Sequence, residues 1–232
     1  MDVNSLFNTL MGQTGAGIDR AVETAKTSSI SPGLVGGVAA GGLAALLLTS
    51  KKSRKIGKKA IKYGGAAALG GLAYKAWSDY KGGRSGQSVA PADTRAVPQP
   101  PRGSIFDLGA GPKSSFGEDM RLSLIRAMIS AAKADGHIDG AEQARIEAHI
   151  DTLQLDADER QFLVEQLRAD SDPIAIARLS NTDEQAAELY LASALAVDPD
   201  TAEEKRYLDR LSDALRLPGE LRARLDAEAA AI

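Results

Sequence analysis

The hydrophobic and polar positions of this chain change pattern several times, and the first long feature is an uncharged stretch. Residues 27–50 run for 24 positions without a charged side chain. Their apolar content comes from Ile30, Leu34, Val35, Val38, Leu43, Leu46, Leu47 and Leu48. About 20 such residues are enough for a helix to cross a bilayer core. The pattern therefore predicts an N-terminal segment at 1–29 and a transmembrane helix at 30–50.

Glycines in this stretch follow a helical spacing. Gly33, Gly37 and Gly41 lie at positions i, i+4 and i+8, which places them in one stripe on a helix. Small residues in that arrangement let a second backbone approach closely within a membrane. The spacing predicts a homo-oligomer formed through these three glycines. The alternative is that small residues are simply common in such spans.

A run of cations follows directly. Between Lys51 and Lys62 there are seven Lys and Arg residues in twelve positions and no acidic residue. Next to an apolar segment, such a run favours the cytoplasmic side and contact with anionic lipid headgroups. A nucleic-acid-binding tail is the alternative. With one crossing, the C-terminal part of the chain is expected in the cytoplasm.

A second, shorter apolar patch lies in the basic juxtamembrane segment at 51–80. It runs from Tyr63 to Tyr74, is rich in Gly and Ala, and predicts a short helix. Twelve residues are few for a span. Flanking lysines and aromatic anchors could still extend the patch into the second helix of a hairpin. The hairpin would return the C-terminal domain to the outside, so one crossing and two crossings remain alternatives.

The remaining chain divides into a linker and a helical domain. Residues 81–117 contain five prolines among Gly and Ser without periodic apolar positions, which predicts a flexible tether. Residues 118–232 instead show apolar positions at helical spacing and no alternating strand pattern. Helix-start signals predict about seven helices in an all-α fold. These signals are Asp139 with Glu142, Asp156 with Glu159, Asp172 before Pro173, Thr182 with Gln185, and Asp200 with Glu203.

Charge separates the two halves. Residues 1–116 hold 15 Lys and Arg against 6 Asp and Glu, a net of +9, whereas residues 117–232 hold 13 against 25, a net of −12. The acidic half should repel nucleic acid, so no nucleic-acid partner is expected for it. The chain has no cysteine, which excludes disulfides and thiolate metal sites.

Two acidic stretches repeat within the helical domain. Asp139–Ile146 and Asp200–Tyr207 match at an offset of 61 residues, and each follows a helix that ends in alanine. The repeat predicts a duplicated helix-loop-helix unit whose halves pack about a pseudo-twofold axis. The two acidic loops would then occur as a pair.

The first loop looks like the second half of a calcium-binding EF-hand loop. Glycines permit its turns, and its carboxylates suit Ca²⁺ or Mg²⁺. Acids are missing where the loop should begin, so any divalent cation would be shared between the two loops. The candidate ligands are Asp135, Asp139, Glu142, Asp198, Asp200 and Glu203. The alternative is that the Asp and Glu pairs are capping boxes, which stabilise helix starts without a ligand.

The stretch Ala132–Glu142, with its later copy at Asp198–Leu208, resembles the tellurite-resistance TerB-like helical domain over residues 117–232. The glycine-rich segment, the basic run and this domain together are similar to the YebE-type inner-membrane proteins of bacteria, a family of uncertain function. The resemblance implies a seven-helix fold with an internal pseudo-repeat, a divalent-metal site at the six acidic positions, and a place in the bacterial inner membrane.

No nucleophile-base pair or three-ligand His and carboxylate site accompanies the acidic residues in the sequence. We therefore expect a membrane-anchored binding or scaffold module that recruits a protein partner or a divalent cation, rather than an enzyme. A metal-dependent hydrolase and a purely structural envelope protein are the alternatives.

Overall fold

A computed structural model describes five stretches of the chain: residues 1–11, 66–83, 97–135, 155–197 and 201–231. It also describes residues 144, 146–148, 150, 151, 153 and 199. The predicted transmembrane helix at 30–50, the glycine stripe and the basic run lie outside the described residues. Among the helices that are described, none combines the length and the apolar character needed to cross a bilayer.

The described part of the chain is all-helical, as predicted. Its only extended pairing is a single antiparallel bridge between Lys113 and Asp119. One 3₁₀ turn spans Leu108–Ala110. The helices are α1 (Val3–Leu10), α2 (Ala66–Lys81), α3 (Met120–Ala132), α4 (Ala157–Arg168), α5 (Pro173–Ala177), α6 (Asp183–Leu195), α7 (Ala202–Ala214) and α8 (Gly219–Ala230).

Three of the predicted helix starts are confirmed. The Asp156 side chain accepts from the backbone N–H of Glu159 at the start of α4, and the Glu159 side chain returns the bond in a full capping box. Asp172 caps α5 ahead of a proline at the first helical position. Thr182 caps α6 by accepting from the backbone of residue 185 at 3.2 Å. These local signals set where the helices begin.

The start of α7 differs by one residue from the prediction. Thr201 and Glu204 form the capping box, instead of Asp200 and Glu203. The Thr201 hydroxyl accepts from the Glu204 backbone at 3.2 Å, and the Glu204 carboxylate accepts from the Thr201 backbone at the same distance. Threonine is among the preferred N-cap residues, although it ranks somewhat below aspartate. The shift leaves the Glu203 side chain outside the box and on the surface of α7.

Helix α6 lies at the centre of the domain. It contacts α2, α3, α5, α7 and α8, and every residue from Gln185 to Ala194 is buried. The largest fully buried side chain of the core is Tyr190, at the middle of this helix. Because neighbours surround α6, it lacks the polar face expected of a surface helix.

Helix α2 also belongs to this core, although the sequence placed it in a juxtamembrane segment. Leu69, Ala73 and Ala76 are almost fully buried, and the helix packs on α6 and α8. Gly70 and Gly71 lie where the backbone of the following segment crosses the helix. A Cβ atom on Gly70 would stand closer than 3.0 Å to the Phe106 carbonyl oxygen. These glycines are therefore needed for close packing.

Part of the predicted flexible linker packs against the same core. Phe106 and Leu108 are buried, and the Phe106 ring meets that of Tyr74 at 5.7 Å between centroids. Ser115 donates its backbone N–H to the Leu179 carbonyl at 3.0 Å. The packed unit is therefore larger than residues 118–232, because two well-placed apolar side chains hold a segment that has no periodic pattern. Residues 84–96 lie outside the described part.

Helix α1 packs on the domain from the other end of the sequence. Leu6, Phe7 and Leu10 are almost fully buried, and the helix lies against α3. The Arg121 guanidinium of α3 also donates to the Asn4 side chain at 2.5 Å. The chain thus contributes to one core both before and after residues 12–65.

Candidate functional site

The six predicted acidic ligands are only partly within the described residues. Asp139, Glu142, Asp198 and Asp200 lie outside them. Asp135 and Glu203 are described, but the described residues contain no group of three metal-ligating side chains. The cation site therefore stays a prediction.

The structure brings the described edges of both acidic loops to one cleft. The cleft lies between the ends of α3 and α4, the segment before α5, and one face of α7, and its volume is about 660 Å³. Ala134, next to Asp135, lines it from the first loop, and Glu203 lines it from the second. The pairing of the two loops themselves stays a prediction, because most of their residues lie outside the described part of the chain.

The described lining of this cleft carries more positive than negative charge. Two acids, Asp170 and Glu203, line it together with four cations, and we call it the basic cleft. The four cations are Lys133, Arg168, Arg206 and Arg210. The Glu203 carboxylate accepts from Arg206 on the next turn of α7.

Lys133 has a structural partner at the edge of the basic cleft. Its ammonium donates to the carbonyl oxygens of Leu167 at 2.6 Å and of Ala169, both at the end of α4. A cation there neutralises the negative end of the helix and satisfies carbonyls that the helix leaves unpaired. Burial lowers the pKa of this ammonium, and nearby Asp170 opposes that effect.

A second cleft, of about 560 Å³, lies between α6, α7 and α8. At its edge, the Tyr190 hydroxyl donates to Asp226 at 2.7 Å and accepts from the Arg222 guanidinium at 3.0 Å. Arg222 also donates to Asp209 of α7 and lies over the Tyr190 ring. Burial, together with Asp226, raises the pKa of Tyr190. The hydroxyl therefore stays protonated and links three helices.

We expect Tyr190→Phe to lower the free energy of unfolding by about 1 kcal/mol, because it removes one donor and one acceptor from this network. Thermal or chemical unfolding of the purified chain measures the change. Tyr80→Phe is the matched control, since Tyr80 is half-buried and its ring packs on Trp77. A loss as large in the control would show that the network adds no stability.

A family model described as a protein of unknown function (DUF533) matches residues 33–229. The chain belongs to this family. It is also similar to a protein of Yersinia enterocolitica described as an uncharacterized protein in ampR 5'region, with 31% identity over 99 residues. The aligned part covers 43% of this chain and 71% of that protein. No solved structure matches the chain.

The DUF533 match begins inside the uncharged stretch and ends near the end of α8. It includes the basic run, both clefts and all of α2 to α7. Helix α1 precedes it. The apolar segment and the helical domain therefore belong to one family unit, rather than being an anchor joined to an unrelated domain.

Sequence reasoning missed three features of the site. The cations of the basic cleft come from three separate elements, and no spacing in the sequence relates Lys133 and Arg168 to α7. The Tyr190 network joins residues 32 and 36 positions apart. The third feature, the buried Glu188 of α6, has a recognisable signal: it is the one charged residue in a run of mostly apolar positions from Ala186 to Ala194.

Proposed function

We propose that this DUF533 protein is a membrane-anchored binding module, in which residues 27–62 attach an all-helical domain to a bilayer. The uncharged stretch and the basic run that follows it support the proposal. In this proposal the domain is TerB-like, and the organisation matches the YebE-type inner-membrane proteins that the sequence resembles. The domain recruits a partner at the membrane surface.

The observation that carries this proposal is the packing of α1 and α2 on the same core. Helix α1 ends before residues 12–65 and α2 begins after them, and both helices contribute to one core. The uncharged stretch therefore lies, in sequence, between two helices that the same folded body holds. An apolar segment of this length is unfavourable in water and favourable in lipid.

The same packing bears on topology. A single crossing by residues 30–50 would place α1 and α2 on opposite sides of the bilayer, whereas α1 lies against α3 of the same domain. This packing supports our proposal that α1 and the domain share the cytoplasmic side, with residues 12–65 entering and leaving the membrane there. The basic run favours that side because cytoplasmic segments are rich in Lys and Arg.

Single-cysteine labelling tests this topology, because the chain has no cysteine of its own. Ser5 on α1 and Ala214 on α7 are both exposed, so Ser5→Cys and Ala214→Cys each report one side. A membrane-impermeant maleimide should label both variants in inverted membrane vesicles and neither in intact spheroplasts.

Carbonate washing of the same membranes tests the anchor itself. The full chain should remain in the pellet, since apolar insertion resists high pH. Release as a soluble particle would overturn the anchored module. Labelling of Ser5→Cys from one side and Ala214→Cys from the other would overturn the shared-side topology and leave the anchor standing.

Divalent cation binding at the six acidic positions remains a prediction within this proposal. The pairing of Glu203 with Arg206 gives it no support. Within the described stretches, no observation favours the metal-dependent hydrolase or the purely structural envelope protein over the binding module.

A further inference from the structure

We propose that the basic cleft is a binding site for a phosphate-bearing anion. Three arginines from two helices converge on it: Arg168 ends α4, and Arg206 and Arg210 lie one turn apart on α7. Residues four positions apart share a helix face. Guanidinium groups present forked donors that match the oxygens of a phosphate.

Among the described residues, the lining of the cleft is opposite in charge to the half of the chain that contains it. Residues 117–232 carry a net charge of −12, yet the described lining holds four cations and two acids. Residues drawn at random from this half of the chain would carry a net negative charge on average. An anionic ligand would account for guanidinium groups gathered around one concave surface.

The present partners of the arginines are weak enough to be replaced. Arg168 donates to Glu147 at 3.2 Å with 63% of its side chain exposed. Arg206 pairs with Glu203 along the helix surface, with 68% of the arginine side chain exposed. Exposed pairs of this kind contribute between about 0 and 1 kcal/mol. A phosphate that accepts from several guanidinium groups at once gains more than each pair loses.

Lys133 removes an obstacle to anion binding. The end of α4 borders the cleft, and the partial negative charge of a helix C-terminus repels anions. The Lys133 ammonium is bound to carbonyl oxygens of that helix end, including Leu167 at 2.6 Å. Lys133 is thus a positioning residue that lets Arg168 face a ligand without a competing negative field.

Calorimetry of the full chain in detergent, with inorganic phosphate and pyrophosphate as probes, tests the site. We expect saturable binding of pyrophosphate, with affinity reduced at least tenfold in Arg210→Gln. Arg178→Gln is the matched control, because Arg178 is an exposed arginine in the same domain that does not line the cleft. Its affinity should stay within about twofold of the parent, since exposed charges act weakly at a distance in salt.

Two outcomes would overturn the proposal: no saturable heat with either probe in the parent, or equal losses in Arg210→Gln and Arg178→Gln. An equal loss would mean that only net charge matters. The calorimetry uses no lipid bilayer, so its result does not depend on whether residues 27–62 anchor the chain in a membrane.

Vesicle binding distinguishes the two sources of phosphate. Vesicles of phosphatidylglycerol are compared with vesicles of phosphatidylcholine. If pyrophosphate competes with phosphatidylglycerol, and Arg210→Gln weakens that binding more than Arg178→Gln does, the ligand is a lipid headgroup. If vesicle binding responds to neither while pyrophosphate still binds, the ligand is a free phosphate compound.

Discussion

Gly70→Ala is expected to lower the free energy of unfolding by about 2 kcal/mol, although alanine is the better helix former. In the interior of an exposed helix the same change would stabilise by about 1 kcal/mol. Here the added methyl group would stand within 3.0 Å of the Phe106 carbonyl oxygen, which is backbone and cannot rotate away. Overpacking of this kind costs about 1 to 3 kcal/mol. Chemical unfolding of the purified chain measures the difference.

Gly219→Ala is the matched control. Gly219 is the first residue of α8, and a Cβ atom there would meet nothing within 4 Å. The control should leave stability unchanged or raise it by up to about 1 kcal/mol. If Gly70→Ala stabilised the chain as well, α2 would not pack against the segment that contains Phe106. The test therefore addresses the largest difference between the sequence interpretation and the structure.

Helix starts were predictable because their causes are local. A capping side chain bonds to a backbone N–H two or three residues away, as Asp156 does in α4. The one-residue shift at α7 has the same origin, since Asp200 and Thr201 are adjacent and either could cap a helix. Local chemistry thus determines that a helix begins, but not which of two neighbouring caps is used.

The packing of α2 and of residues 97–117 was not predictable in the same way. Phe106 and Leu108 are two apolar positions among Pro and Gly, so the segment has the composition of a flexible linker. Their burial depends on contact with α2, which itself packs on α6 and α8. Composition indicates whether a segment can form a hydrophobic core by itself. It does not indicate whether the segment can pack against a core that other elements form.

The candidate site also combines a feature that the sequence could predict with features that it could not. The repeat predicts that the two loops form a pair, and Ala134 and Glu203, which adjoin them, line one cleft. The charge of that cleft was not predictable, because Arg168 reaches it from a helix outside both copies of the repeat. Asp135 stood out in the sequence as an acid beside a glycine, and Glu203 as part of the repeat, whereas Arg168 and Arg210 had no motif to mark them.

The second large expected effect is a pH-dependent change in stability that comes from Glu188 of α6. Its side chain is 0% exposed, and neither carboxylate oxygen has a hydrogen-bond partner among the described residues. Burial raises the pKa of this carboxyl well above its usual 4.5. An ionised carboxylate in such surroundings is very costly, so burial favours the protonated form in the folded chain.

The direction of the pH effect follows from proton binding. Above about pH 4.5 the unfolded chain releases the Glu188 proton while the folded chain keeps it. Folding then requires a bound proton, so this contribution to stability is complete at low pH and is lost as the pH rises. Asp119 affects the pH dependence of stability in a lower pH range. Burial alone would raise the pKa of Asp119, but hydrogen bonds from Arg121 outweigh burial, and the pKa is lowered.

Glu188→Gln should therefore be about 2 kcal/mol more stable than the parent at pH 8 and nearly equal to it at pH 4.5, because the amide needs no proton. Unfolding curves between these pH values measure the difference. Glu165→Gln is the matched control, since Glu165 is an exposed glutamate of α4, and its difference from the parent should stay flat. If Glu188→Gln also stayed flat, the folded core would have to hold the carboxylate in its charged form, which requires a cationic or hydrogen-bonding partner beyond the described residues.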